Sequence, residues 1–336
     1  MGWVVFLARF LVGAALLEFL FLRFVLRLGP VLPSGDTVTT VLSWVGQAGL
    51  LFLNVSVIAG LALLALVLVV LPRESRRASA APLWAAAALA LGVSVVRLAG
   101  PYVSDLTRDP GFLIALNAVS MLTVLLIAAS GLTTRRGLLP LTVLTVTYGA
   151  ALLHYTAGIA PAVGAPGWGR GTSLALAEAL LLLMGPAVLW TLRPSWRPRA
   201  ALAAAAIAAI YLALATVRPW IASALAIWDF GFTSFLPAYI YALALWALVY
   251  AVLALAREGQ RGALASTALA LVALGGLRLD YAHYSILALV GMLLLAVALT
   301  ESRQTRRSVA GLGARTPWPS TSPVERAVGA SNTTTP

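Results

Sequence analysis

Cysteine is absent from the 336 residues, which removes disulfides, iron–sulfur ligation and thiolate metal sites and leaves the redox compartment open. Charge is scarce: Asp, Glu, Lys and Arg together make up 10% of the chain, and histidine occurs only twice. Catalytic signatures are missing as well. There is no Ser–His–Asp spacing around a nucleophile elbow, no paired-aspartate prenyltransferase motif, no H-E-x-x-H and no P-loop. The AASG at 128–131 lacks the first glycine of a rhomboid-type serine motif. A membrane enzyme using buried carboxylates as acid and base on a lipid-linked substrate has no motif behind it, so enzymatic activity is the less favoured reading.

What fills the chain instead is apolar. Hydrophobic residues make up 61% of it and mean hydropathy is +0.95, more than one soluble core can enclose. Runs of about 20 apolar residues, the length a helix needs to cross the bilayer's hydrocarbon, recur from one end to the other. The fold class expected is therefore all-α, a polytopic integral membrane helix bundle. Its ten spans fall at 3–29, 41–71, 80–100, 112–133, 138–160, 172–192, 199–217, 236–256, 262–278 and 281–300. The first reads as a retained span, since no small-residue cleavage site follows it. The second is over-long and reads as one tilted helix. Residues 220–235 are too short and too polar to cross and read as an interfacial segment rich in Trp and Phe. The membrane domain covers 1–302, and the Pro-, Ser- and Thr-rich remainder, 303–336, reads as a disordered cytoplasmic tail.

The net charge of +12 comes from 23 arginines against 11 acids. No aromatic-rich basic module accompanies it, so nucleic acid is not expected as a partner. Alternate breaks between spans, PRESRRAS, TTRRG, RPSWRPRA, AREGQRG and the tail from ESRQTRR, hold 15 of the arginines. The intervening breaks are nearly balanced in sign. By the positive-inside rule the first group faces the cytoplasm, which places both termini in the cytoplasm and the chain in the cytoplasmic membrane.

Two segments echo each other. VR at 96–97, DPGF at 109–112 and RRG at 135–137 are followed in the same order by VR at 217–218, DFGF at 229–232 and QRG at 260–262, and each half reaches an HY, at 154–155 and 283–284. An offset of four spans makes this a parallel duplication, with repeats at about 41–160 and 172–300. Spans two, six and ten then correspond, and each carries one polar residue near its outer end: Gln47, Glu178 and His283.

Ionisable groups inside spans are costly and usually face a bundle interior or a hydrated cavity. Here Glu18, Arg23, Arg97, Asn117, His154, Glu178, Arg218, Asp229, Arg278, Asp280 and His283 all fall toward the outer side, while Arg9 is the one charge in the inner half. Arg23, Arg27, Arg218 and Arg278 read as boundary residues that snorkel to water. Glu18 and Glu178 are too deep for that, and each reads either as half of a structural ion pair, for example Glu18 with Arg97, or as a functional acid. His154 and His283 sit at similar depth in different halves. Two imidazoles on two helices fit one b-type haem; together with Glu178 or Asp280 they fit a divalent ion such as copper or zinc. Asp280 and His283, three apart, share a helix face, so the carboxylate can orient the imidazole. Met121, Met184 and Met292 lie near mid-bilayer, where thioethers serve either as packing or as a Cu(I) relay.

The segments ARFLVGAALLEFLFLRFVLR, VSDLTRDPGFLIALNAVSMLTVLLIAASG, ALLHYTAGIAPA and LAEALLLLMGPAVLW resemble, in order, the bacterial copper-resistance D family of inner-membrane proteins. The shared features are an Arg-led first span, an acid–Thr–Gly loop feeding an apolar span, a histidine followed by small residues, and an acid-led span ending near Trp. His154 and Glu178 match by position, whereas Leu180, Leu181 and Leu182 stand where the family carries a histidine after the acid. The resemblance implies a copper site open to the periplasm in a transporter.

The sequence therefore predicts a membrane protein with an outward-facing polar site that handles copper or another metal ion, with His154, His283, Glu178 and Asp280 as its ligands. The alternative is a membrane subunit of a redox complex, binding quinone or one haem b near the outer face. Membrane lipid is the common partner of both readings. An extracytoplasmic metal carrier fits the first and a redox protein the second.

Overall fold

A computed structural model describes residues 2–25, 35–74, 80–103, 109–132, 137–165, 170–217, 238–277 and 281–300. The interfacial segment expected at 220–235, Arg278, Asp280 and the tail from 301 lie outside the described residues. Lipid offers no partner to an unpaired peptide group, so each apolar run closes its hydrogen bonds on itself as a helix. The helices are α1 (Gly2–Glu18), α2 (Asp36–Glu74), α3 (Ala80–Val103), α4 (Pro110–Leu132), α5 (Leu138–Ile159), α6 (Arg170–Leu182), α7 (Met184–Leu192), α8 (Pro198–Val217), α9 (Ala238–Leu255), α10 (Gly259–Gly275) and α11 (Ala282–Thr300). With α6 and α7 forming one broken rod, these are the ten expected spans. Nine rods among the described residues are long and apolar enough to cross a membrane, and α10, at 17 residues, falls just short. The chain is thus a multi-pass, all-α membrane bundle. Helix α2 runs for 39 residues, about 58 Å at 1.5 Å per residue, well beyond a hydrocarbon core of about 30 Å.

Local chemistry sets the ends. Asp109 caps α4 by accepting the Phe112 N–H at 2.8 Å, and Pro110 follows at the first helical position, where its missing N–H costs nothing. The break between α6 and α7 falls at Leu183, since Pro186, in the first turn of α7, has no N–H to donate back to the Leu182 carbonyl. Gly185 lets α9 approach: a Cβ there would lie 2.8 Å from the Leu248 nitrogen.

Neighbouring rods form a closed ring: α1, α2, α3, α4, α5, the α6–α7 rod, α9 and α10, with α10 returning to α1. Helix α11 fills the middle, touching α2, α3, α4, α5 and α10, and α8 packs on the outside against α9. Burial agrees: 89% of the α11 span is enclosed by protein but 22% of the α8 span. Gly2 and Gln260 line one groove, and Arg261 Nη2 donates to the Leu299 carbonyl at 3.5 Å. The start of α1 and the end of α11 therefore share one end of the bundle.

At that end Glu258, in the turn between α9 and α10, accepts at one oxygen from the Ser195 hydroxyl at 2.5 Å, the Ser195 N–H at 3.1 Å and Arg197 Nη2 at 3.4 Å. These bonds, the Ser195 hydroxyl's foremost, hold its carboxyl below the ordinary range. A depressed folded pKa means the contribution is fully present above the unfolded value of about 4.3 and is lost as pH falls through the folded pKa. Ser195→Ala is expected to move the Glu258 titration up toward the ordinary value, read by carboxyl carbon NMR in detergent. An unmoved titration would assign the effect elsewhere.

Candidate functional site: a buried acid, base and imidazole

In a regular α-helix, residues five apart point about 140° away from each other. Glu18 and Arg23, five apart, nevertheless meet, because the chain widens into a π-helix at Phe19–Phe24 directly after Glu18. The Val25 N–H bonds back to the Leu20 carbonyl, the i to i+5 closure that defines this winding and recurs at functional sites. Arg23 donates from Nε at 3.2 Å and Nη2 at 3.0 Å to Glu18 Oε2, and Nη2 also reaches the Leu274 carbonyl at 2.9 Å. The guanidinium carbon lies 4.6 Å from the Tyr284 ring centre and 5.2 Å from that of Phe19, a cation–π setting that supports charge away from water. Helix α2 comes close to the π turn at Gly49, where a Cβ would lie 2.9 Å from the Leu22 nitrogen.

Snorkelling, expected for Arg23, does not occur. Arg23 is 7% exposed and Glu18 fully buried, and the pair is internal because the π turn redirects Arg23 toward α10 and α11. Nor does Glu18 pair with Arg97, since its partners are Arg23 and His283.

His283 enters from the central helix. Its Nε2 lies 3.4 Å from Glu18 Oε2 and its Nδ1 3.4 Å from Ser56 Oγ on α2. The Ser56 hydroxyl already donates to the Leu53 carbonyl at 2.8 Å, so toward the imidazole it can only accept, and Nδ1 must carry the proton. Nε2 then faces a carboxylate oxygen. Two acceptors at that distance repel unless a proton lies between them, on the imidazole or on the acid. Glu18 Oε1 and His283 Nε2 are both buried with no well-aligned hydrogen bond to the described residues.

A second polar cluster ties α3, α4 and α5. Arg97 Nη2 donates to Asn117 Oδ1 at 2.9 Å and approaches Ser120 Oγ at 3.4 Å, and Asn117 Nδ2 donates to Thr156 Oγ1 at 3.2 Å. His154, half-buried on α5, stands edge-on to Tyr155 with centroids 5.3 Å apart.

Of the four expected ligands, His283 lies in the buried triad and His154 on α5. Glu178 falls within α6, but its side chain lies outside what the structure describes, as does Asp280. Among the described residues no three His, Cys, Asp or Glu side chains converge as a metal site. Gln47 is exposed while His283 is buried, so these two positions of the expected repeat have different settings. Met184 and Met292 are packed within the core. Sequence reading missed Ser56 and Tyr284 and took Arg23 for a boundary residue. The one available signal, an acid and a base five apart in an apolar span, is invisible to a search built on three- and four-residue spacing. Compared with known proteins, the chain matches no family model, no curated protein and no solved structure.

Proposed function

We propose that this membrane protein is a proton-coupled transporter, with Glu18 and His283 as the site that takes up and releases the proton and Arg23 as the fixed charge that opposes it. The observation that carries this is the buried carboxylate set between a guanidinium and an imidazole. Ionisable groups at such depth commonly belong to proton relays and ion pathways. When Glu18 is charged it balances Arg23. When it is protonated, Arg23 loses its counter-ion and gains a reason to move, which couples protonation to the packing of α1 against α10 and α11. The resemblance of four segments to the copper-resistance D family, whose usual first-span histidine this chain lacks, adds a transporter with an outward-facing site to this reading. A metal cargo has less support at the triad, because Arg23 holds a permanent positive charge 3.0 Å from the carboxylate that a cation would need.

Proteoliposomes holding a pH-sensitive dye and given a pH step provide the test. Wild-type protein is expected to carry protons, and Glu18→Gln and His283→Ala to lose most of that flux. Flux unchanged in both variants would rule the reading out. Copper bound in simple stoichiometry by the wild type, and lost in the double variant His154→Ala with His283→Ala, would replace it with the metal one.

A further inference from the structure

A groove of about 450 Å³ opens between the start of α8 and the end of α9, at the bundle end that carries Gly2 and Leu299. Trp196, Arg197, Arg199 and Arg257 line it on the loop side, and Ala200, Ala203 and Leu253 continue it along the helices. Its charge is lopsided. Glu258 is the acid beside it and already accepts from Ser195 and Arg197. Arg199 and Arg257 are exposed, and their guanidinium groups have no carboxylate partner among the described residues. Arg197 Nε is buried without a hydrogen-bond acceptor.

The aromatic residues beside the groove give its level. Trp196 is 66% exposed and packs 5.2 Å from Tyr250, which in turn stacks on Trp246 at 5.6 Å and 5°. Trp246 Nε1 donates to the Ala201 carbonyl at 3.3 Å. Tyr250 is buried and Trp246 half-buried, so Trp196 is the exposed ring of this stack, and an exposed Trp at the end of apolar helices suits the headgroup layer, where an amphipathic ring has one wet and one greasy side. The arginines stand at the helix ends and the alanines and Leu253 further along the apolar helices, the order in which a phospholipid presents its phosphate and its acyl chains. Helix α8 is the least enclosed span, so the groove faces lipid, not the bundle interior.

We propose that this groove is a binding site for an anionic phospholipid, with Arg199 and Arg257 holding the phosphate and Arg197 completing the basic wall. Arginine suits this task because its planar fork pairs with phosphate oxygens two at a time. Basic pockets between membrane helices are recognised lipid-headgroup sites. The switch from arginine to alanine and leucine along one wall fits a molecule with a charged head and an apolar tail better than a free anion.

The test uses the full chain, purified in detergent, stripped of lipid and titrated with phosphatidylglycerol, phosphatidylcholine or inorganic phosphate while binding is read by native mass spectrometry. Phosphatidylglycerol is expected to bind more tightly than phosphatidylcholine. The double variant Arg199→Gln with Arg257→Gln is expected to weaken it about 30-fold, while phosphatidylcholine binding stays the same. Lysine at both positions is expected to recover only part of the affinity, since it restores the charge without the fork. Equal phosphatidylglycerol affinity in wild type and the glutamine variant would overturn the proposal, as would equal affinity of the wild type for the two lipids. Inorganic phosphate binding as tightly as the lipid would identify a soluble-anion site instead. The wild-type comparison of the three probes decides alone should the glutamine variant fail to fold.

Discussion

Glu18→Ala is expected to destabilise the protein by about 3–5 kcal/mol, the scale seen when one partner of a buried ion pair is removed. The cost does not come from lost attraction alone. Arg23 stays behind, 7% exposed, with a full charge that cannot lose its proton and with the Leu274 carbonyl and the Tyr284 ring as its remaining support. Glu18→Gln retains an acceptor for the guanidinium and is expected to cost less. The informative variant is the double replacement Glu18→Leu with Arg23→Leu, which removes both charges and the desolvation that each carries. It is expected to recover most of the loss, as apolar replacements of buried pairs often do. Thermal unfolding in detergent, followed by tryptophan fluorescence, measures all three. A Glu18→Ala melting curve that overlays the wild type would mean the pair is hydrated and that the triad is not a closed site. Stability and transport separate here: the double leucine variant is expected to fold and to carry no protons.

The second large effect concerns the contact between α10 and the central α11. Apolar side chains gain little by leaving lipid for protein, so tight association of membrane helices depends on small residues that let backbones meet. A Cβ built on Gly291 would lie 2.8 Å from the Ala268 carbonyl oxygen and 2.8 Å from the Val272 nitrogen. Gly275, on the facing helix, would place its Cβ 2.7 Å from the Ala288 nitrogen and 3.0 Å from the Tyr284 carbonyl oxygen. These obstacles are backbone atoms, which cannot swing aside as a side chain can. Gly291→Ala is expected to cost about 1–3 kcal/mol, despite a helix-propensity gain of about 1 kcal/mol from replacing glycine. Gly291→Leu is expected to leave little folded protein, scored as the monodisperse fraction on size exclusion. Gly92→Ala is the control. It sits within α3 with nothing within 4 Å of an added Cβ, so it is expected to be neutral or stabilising. Equal behaviour of the alanine variants at 291 and 92 would show that the two helices are not in backbone contact.

Tyr284 links the two effects, since its carbonyl faces Gly275 while its ring lies under the Arg23 guanidinium. The close approach of α10 and α11 therefore also positions His283 and the Leu274 carbonyl around the ion pair. Substitutions at Gly275 are expected to disturb the triad although glycine has no side chain to contribute to it.

Much of this architecture was written in the linear pattern. The ten spans read from apolar run length correspond one for one to the rods, with ends displaced by a few residues. Asp109–Pro110 sets a helix start through chemistry confined to neighbouring residues, whereas the break at Leu183 falls inside what reads from hydropathy as one span, 172–192. The depth of Glu18 was legible too, because hydropathy alone places it inside an apolar run, whereas His283 reads as a boundary residue at the start of its span and is buried by the packing around it. What each of them touches was not. Arg23 had the sequence context of a boundary arginine, and only the wider π turn brings it round to Glu18. Ser56 is one hydroxyl among many in apolar helices, and its place under His283 depends on how α2 crosses α11.

Sequence by itself determined the all-helical class, the ten rods and the depth at which charge is buried, because each span must satisfy its own backbone hydrogen bonds in lipid whatever its neighbours do. Tertiary structure alone decided that the last span is the central one and that Glu18, Arg23 and His283 share a site. Helices that are apolar on every side carry no stripe to say which face turns inward. Their order in the bundle is set by backbone approaches at glycines such as Gly275 and Gly291, and by a few polar contacts between residues as far apart in the chain as Arg23 and Leu274.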